Sequence, residues 1–478
     1  MPNTCAYDEN EQLIEEYIEC VFDEVNDSIV SDVDMFFLLV SGVFIFFMQT
    51  GFAMLCAGSV RQKNVQNVLF KNFIDLCFCA ISFYCLGFGF AFGNGSSFIG
   101  GIGRSGFALQ KNNQYAFYFI QFCFAGTADT VIAGTVAERC QIKAYICYSI
   151  FLGSFVYPVI ARSVWYENGF LLKVHEIGAY DFAGSGVVHI TGGATALIAA
   201  ISLGPRKGRF YDFNGKPFDI PVSLPASSAT LRVLGTFLLW IGWYGFNFGS
   251  TLKVSDGKSH IAAYCTVTTT LAAASGGMTS MFLKTIIEKR KNKKILYDLD
   301  YALNGALGGL VAICAGSAVI EPPLSIVVGI VAGLIYCGSS SLLVKYKIDD
   351  VVDAIPVHLF CGIWGVLSVG LLASSNRLEI VTPNSTSPGL FYGGGLRLLC
   401  QIYLVLWIVG WVSITMIPFF LLLRHLNWLR IDELEEKAGT DMLYHGNGGA
   451  YNLDGPKREH IDEWEKRKEV HFISDKDL

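Results

Sequence analysis

Eleven apolar stretches, each about as long as a helix needs to cross the hydrocarbon of a bilayer, follow one another along the chain. They fall near residues 35–59, 72–93, 114–137, 144–161, 182–203, 228–249, 260–283, 301–320, 324–344, 354–373 and 397–423. Of the 478 residues, 52% are hydrophobic and only 16% charged, which excludes an ordinary soluble globular protein. Backbone N–H and C=O groups in lipid must pair within their own segment, so these runs predict an all-α polytopic membrane protein with eleven transmembrane helices. Three regions follow: an acidic extracellular N-terminal segment at 1–34, a transmembrane core at 35–425, and a cytoplasmic tail at 426–478. The formal net charge of −6 comes mainly from the two tails and implies no nucleic-acid partner.

Positive charge sets the expected orientation. Arg61 and Lys63, Arg139 and Lys143, Arg206 to Lys216, Lys284 to Lys294, and Lys345 with Lys347 occupy alternate loops, which are expected to face the cytosol. Three N-x-S/T triplets, at Asn26, Asn94 and Asn384, all fall on the other side and are the glycosylation candidates. The N-terminus is then outside, the C-terminus inside. The first 34 residues hold no Lys or Arg and no early apolar core, so the first span is expected to serve as the targeting signal. Twelve of the fourteen cysteines lie in or beside apolar runs and read as small core hydrophobes. Cys5 and Cys20 stand in the acidic tail, where an oxidising outer face would allow a disulfide within or between subunits.

Residues 181–193 read DFAGSGVVHITGG and residues 350–362 read DVVDAIPVHLFCG. Both obey D-x7-H-x3-G: Asp181, His189 and Gly193 in one, Asp350, His358 and Gly362 in the other. The first opens span five and the second opens span ten, so they predict two five-span repeats of inverted topology plus one extra helix. An ionisable residue at the bilayer centre costs about 3 kcal/mol on insertion scales, so a matched pair calls for a reason. A single histidine there reads most simply as a neutral, hydrogen-bonded core residue. Two facing imidazoles are different, because each ring has one donor and one acceptor and the pair is able to share a proton beside a small polar molecule. Metal binding is the competing use, but neither histidine has a third ligand at useful spacing, and no metal or cofactor is expected.

In these motifs the chain resembles the ammonium transporter family (Amt/Mep/Rh), most closely its Amt branch. The resemblance runs over about residues 35–450 and is carried by AGTVAERC (133–140), the two histidine stretches, GWYGFNFGS (242–250) and LRIDELEEKAGTDMLYHG (429–446). It implies a plasma-membrane homotrimer with one pore in each subunit, carrying ammonium or ammonia, with methylammonium as a further substrate and lipid as its surroundings. His189 and His358 resemble the twin histidines of that pore. Phe124, Trp165, Ser250 and Asp181 resemble its outer recruitment vestibule, Phe124 and Phe246 its stacked phenyl gate, and Trp243 and Asp350 its supporting positions. An aromatic face attracts a compact cation by about 0.5–2 kcal/mol, and Ser250 adds an acceptor. Gly439, Thr440 and Asp441 resemble the regulatory tail.

The sequence departs from the family in three places. Phe248 stands where a small residue or proline is usual and is expected to narrow the vestibule. Arg162 replaces a histidine before Trp165, adding positive charge expected to weaken cation capture. Leu443 replaces a threonine that is phosphorylated in plant members, leaving Thr440 or Tyr444 as hydroxyls nearby. The favoured reading is transport with net charge transfer. The alternatives are an electroneutral, Rh-like ammonia channel and an ammonium sensor with little flux. H-E-x-x-H and G-x-S-x-G are both missing from the sequence, so an intramembrane enzyme is not expected.

Overall fold

A computed structural model describes residues 11–101, 114–212, 214–382, 387–445 and 450, the side chains of 11–19 and 23 excepted. Among these residues every regular element is helical. The chain runs α1 (Glu11–Ser59), α2 (Val65–Ser82), α3 (Phe88–Phe92), α4 (Tyr115–Thr135), α5 (Ile142–Phe151), α6 (Tyr157–Trp165) and α7 (Thr191–Leu203). It continues through α8 (Ala229–Gly249), α9 (Lys258–Asn292), α10 (Leu299–Ile313), α11 (Pro322–Lys345), α12 (Cys361–Leu372), α13 (Ser375–Val381) and α14 (Gly395–His425), and ends with α15 (Glu433–Ala438) and α16 (Thr440–His445).

Nine helices among the described residues are long and apolar enough to cross a membrane. The remaining two expected runs are also helices, α8 and α9, but fall outside that set. Their composition explains it. Along α9, Thr268, Thr269, Thr270, Ser275 and Ser280 dilute the apolar surface: Thr269, Thr270 and Ser275 return their hydroxyl hydrogens to carbonyls four residues back, and Thr268 and Ser280 lie closest to the Ser317 and Tyr301 carbonyls across the bundle. The acidic N-terminal segment is continuous with the first span, because α1 begins at Glu11 rather than near residue 35.

Among the described residues, four π-helical turns interrupt the α-helices: Phe83–Gly87 joins α2 to α3, Leu152–Val156 joins α5 to α6, Ser185–Ile190 precedes α7, and Ile355–Phe360 precedes α12. The last two carry the two histidines. Ser185–Ile190 starts beside Trp165, whose Nε1–H donates to the Asp181 carbonyl at 2.8 Å. Ile355–Phe360 starts at the opposite end, beside Asp349, which pairs with Arg206. The two turns therefore run toward each other from opposite ends, as the recurrence of D-x7-H-x3-G predicts.

Small residues let the bundle close. On α8, Gly235 faces the Leu55 backbone of α1 and Gly245 faces Phe44, so those two helices lie backbone to backbone. The main apolar core gathers α4, α7, α10 and α12 around the two π turns, with α14 packed behind α7 and α12.

Candidate functional site

Each histidine turn is started by an aspartate. Asp181 accepts hydrogen bonds from the Gly184, Gly186 and Val187 N–H groups at 2.9, 2.8 and 2.8 Å, satisfying donors that a helix start leaves unpaired. Asp350 does the same for Ile355 at 2.7 Å and Val352 at 3.4 Å. The glycine that completes each motif lies where the turns cross. A Cβ at Gly193 would meet Leu359 Cα at 2.8 Å, and one at Gly362 would meet the Ser185 carbonyl oxygen at 2.8 Å. Aspartate, histidine and glycine thus have one role apiece: start, ring and crossing point.

The crossing brings the rings together. His189 and His358 are 0% and 3% exposed, with Nδ1 to Nδ1 at 3.2 Å and ring centroids 5.1 Å apart. Aromatic rings continue the axis toward the Trp165 end. Phe246 stacks on His189 at 5.3 Å and 20°, Phe124 meets Phe246 edge-on at 4.6 Å, and Trp165 meets Phe124 at 5.3 Å. Trp243, fully buried, lies 5.4 Å from the His189 ring and donates from Nε1 to Cys314 Sγ at 3.1 Å. On the other side, Phe52 faces the His358 ring at 6.0 Å. A small cavity lined by Phe52, Leu55, Val131, Leu307, Val357 and His358 follows. It shares Leu55, Asn304 and Val352 with a larger, polar mouth that also holds Arg232, Asp300, Asp350 and Asp353.

Ser250 stands one helical turn beyond Phe246 and gives its hydroxyl hydrogen to the Phe246 carbonyl at 2.8 Å, so only its lone pairs remain on offer. One expectation is corrected: Phe248 packs outward against Phe37 and Phe44 of α1, at 5.8 and 6.1 Å, instead of narrowing the aromatic end. Arg162 lies against the end of α3 and the loop after it, where its guanidinium donates to the Ala91, Gly93 and Ser96 carbonyls and covers the Tyr166 ring at 3.7 Å. Sequence reading missed Cys314, taken with the other apolar-run cysteines as a small hydrophobe, and Phe52, which no motif marked.

The tail residues form a separate site. Asp441 accepts from the Gln66 and Asn67 N–H groups at 2.9 and 2.8 Å, capping the start of α2. Thr440 is fully buried and donates both its N–H and its hydroxyl to Asn64 Oδ1, each at 2.9 Å. Gly439 has φ +104°, and a Cβ there would meet the Lys63 side chain. Beneath them Glu138 pairs with Arg61 and Arg206, and Arg206 also pairs with Asp349 at 2.8 Å. Burial alone would raise both carboxyls, but Arg206 and its neighbours Arg61 and Arg139 hold them below the usual carboxylate range. Asn26 and Asn94 are both exposed. Cys20 is disulfide-bonded, whereas Cys5 and Asn384 lie outside the described residues.

An inverted pair of helical halves, meeting at buried imidazoles behind packed aromatic rings, defines a polytopic membrane protein built around a narrow axis. The chain belongs to the Ammonium Transporter Family, which it matches over residues 36–450. It is 40% identical over 452 residues to "Ammonium transporter 1 member 3" of Solanum lycopersicum, covering 89% of this chain and 94% of that protein. It is 37% identical to "Ammonium transporter 3" of Dictyostelium discoideum, over 86% and 92% of the two chains. Among solved structures, "Sensor Amt Protein" superposes with a TM-score of 0.75 at 30% identity, covering 87% of this chain and 99% of that one. Candida albicans Mep2 gives 0.76 at 25% identity, covering 88% and 93%.

Proposed function

We propose that the chain carries ammonium nitrogen across a membrane. Ammonium is taken up at Trp165, Phe124 and Ser250, loses its proton at the Phe124–Phe246 pair, and passes as ammonia along His189 and His358. The observation that carries this reading is the pair of buried imidazoles lying directly behind that 4.6 Å ring closure. A hydrated ion does not fit between such rings, and a bare one faces many kcal/mol of lost solvation beyond them. Ammonium escapes that cost by leaving a proton behind, which potassium and sodium have no means to do. The imidazoles then offer ammonia donors and acceptors in an otherwise apolar stretch. The proton passes to water at the Trp165 end and crosses separately from the ammonia, which gives net charge movement. Asp181 and Asp350 hold the two histidine turns, and Trp243 backs His189. Neither a metal nor a cofactor is required.

We also infer a plasma-membrane homotrimer with the N-terminus outside and the tail in the cytosol, glycosylated at one or more of Asn26, Asn94 and Asn384. The docking of the tail on the loops that carry Arg61, Lys63 and Arg139 supports that sidedness. A sensor with little flux is the second reading, favoured by the similarity to the structure described as "Sensor Amt Protein". Voltage-clamped oocytes given ammonium at fixed pH, with labelled methylammonium uptake in the same cells, separate the cases. Uptake with a saturable inward current supports the proposal, and uptake without current points to ammonia conduction. Neither signal, with the protein at the surface, overturns transport and leaves the sensor.

A further inference from the structure

We propose that Cys314 is a positioning residue that fixes the direction of the hydrogen bond between His189 and His358. Its consequence for transport rests on the pore reading above; the assignment itself rests on counting hydrogens. Cys314 sits at the end of α10, and its thiol has one hydrogen to give. The Leu310 carbonyl, four residues back, lies 3.1 Å from the sulfur and takes it. The sulfur then has only lone pairs for its remaining neighbours, of which the Asn247 side chain is one. A second is Trp243 Nε1, which is able only to donate, at 3.1 Å. A third is His189 Nε2 at 3.7 Å.

A ring nitrogen held against a lone pair is favoured as N–H, so neutral His189 carries its hydrogen on Nε2 and leaves Nδ1 as an acceptor. His358 Nδ1, 3.2 Å away, must then supply the hydrogen between the rings. The vacant acceptor of the pair is His358 Nε2, on the ring that borders the cavity with Phe52. The bonds therefore run one way, from His358 through His189 to sulfur. Ammonia leaving the pair toward the tail end meets an acceptor for its N–H groups. Alanine at 314 would leave His189 Nε2 buried without a partner and release the order. Serine keeps both the back-bond to Leu310 and an acceptor.

The test is nitrogen NMR of the full-length protein, labelled with 15N-histidine and reconstituted in bilayers. Coupling across the N–H···N bond identifies the two Nδ1 atoms, and their pyrrole-type or pyridine-type shifts say which one is protonated. The expected result is a pyridine-type His189 Nδ1 and a pyrrole-type His358 Nδ1 in the wild type and in Cys314→Ser, with the two orders nearing equal population in Cys314→Ala. A hydrogen on His189 Nδ1 in the wild type overturns the proposal, as does an unchanged order in Cys314→Ala. Should that variant fail to fold, the wild-type assignment decides alone. Methylammonium uptake by the same preparation keeps the two readings apart: the expected order without uptake rejects the pore and leaves the tautomers standing.

Discussion

Asp181 spends both carboxylate oxygens on backbone N–H groups, so it acts on the aromatic end through what it holds in place: the histidine turn, and Trp165 through its own carbonyl. Removing it leaves three buried donors unpaired, each costing about 1–3 kcal/mol before relaxation. Asp181→Ala is expected to lower the thermal unfolding midpoint in detergent and to abolish methylammonium uptake. Asp181→Asn, which keeps one acceptor oxygen, should fall between it and wild type in stability. Equal midpoints for all three proteins would remove the capping role. The aspartate was legible because a charge at the mouth of an apolar run needs a use. Phe248 misled for the opposite reason: motif position gave its place along the chain, but the direction of its ring depends on α1, which no local pattern encodes.

At the scale of elements, the spacing of apolar runs and motifs predicted the helices and their inversion, and left out the form of the two turns. D-x7-H-x3-G reads as an α-helix start, yet Ser185–Ile190 and Ile355–Phe360 are wound as π turns. Hydrophobic periodicity carries too little information over six residues to tell the two windings apart. The final glycine was visible as a letter, with its cause hidden until the crossing was known. That cause is testable, because Gly193 lies against Leu359 and the end of His358 with no room for a side chain. Gly193→Val should push the turns apart, break the contact between the imidazoles and cost about 1–3 kcal/mol through overpacking. The expected outcome is a folded but less stable protein that takes up no methylammonium. Uptake within twofold of wild type would show that the pair tolerates a wider crossing.

Over the whole molecule, the tail end is organised by charges that come from distant parts of the chain. Glu138 faces Arg61 and Arg206, and Arg206 reaches Asp349, pairs that no local reading of the sequence could have joined. Because Glu138 and Asp349 titrate lower in the folded protein than in the unfolded chain, their stabilisation is complete above the unfolded value of about 4 and is lost as pH falls through the folded values. Thermal unfolding should therefore be insensitive to this cluster between about pH 5 and 7, and the midpoint should drop below about pH 4. Asp349→Asn leaves Arg206 partly unpaired, should cost about 3–5 kcal/mol at neutral pH, and should flatten the acid limb. The cluster is thus a fixed platform at cellular pH, and any regulation has to act on what docks there. Asp441 caps α2 through Gln66 and Asn67, while Thr440 closes onto Asn64, which itself donates to Glu138 at 2.8 Å. Tail, the link from α1 to α2, and the charge platform form one connected set, and α1 brings Phe52 and Leu55 to the cavity beside His358. Asp441→Ala removes a cap worth about 0.5–2 kcal/mol. Hydrogen exchange should then quicken together in residues 429–445 and 61–67, and methylammonium uptake should change with it. Faster exchange confined to the tail, with 61–67 and uptake as in wild type, would make the tail a passive cover rather than a control element.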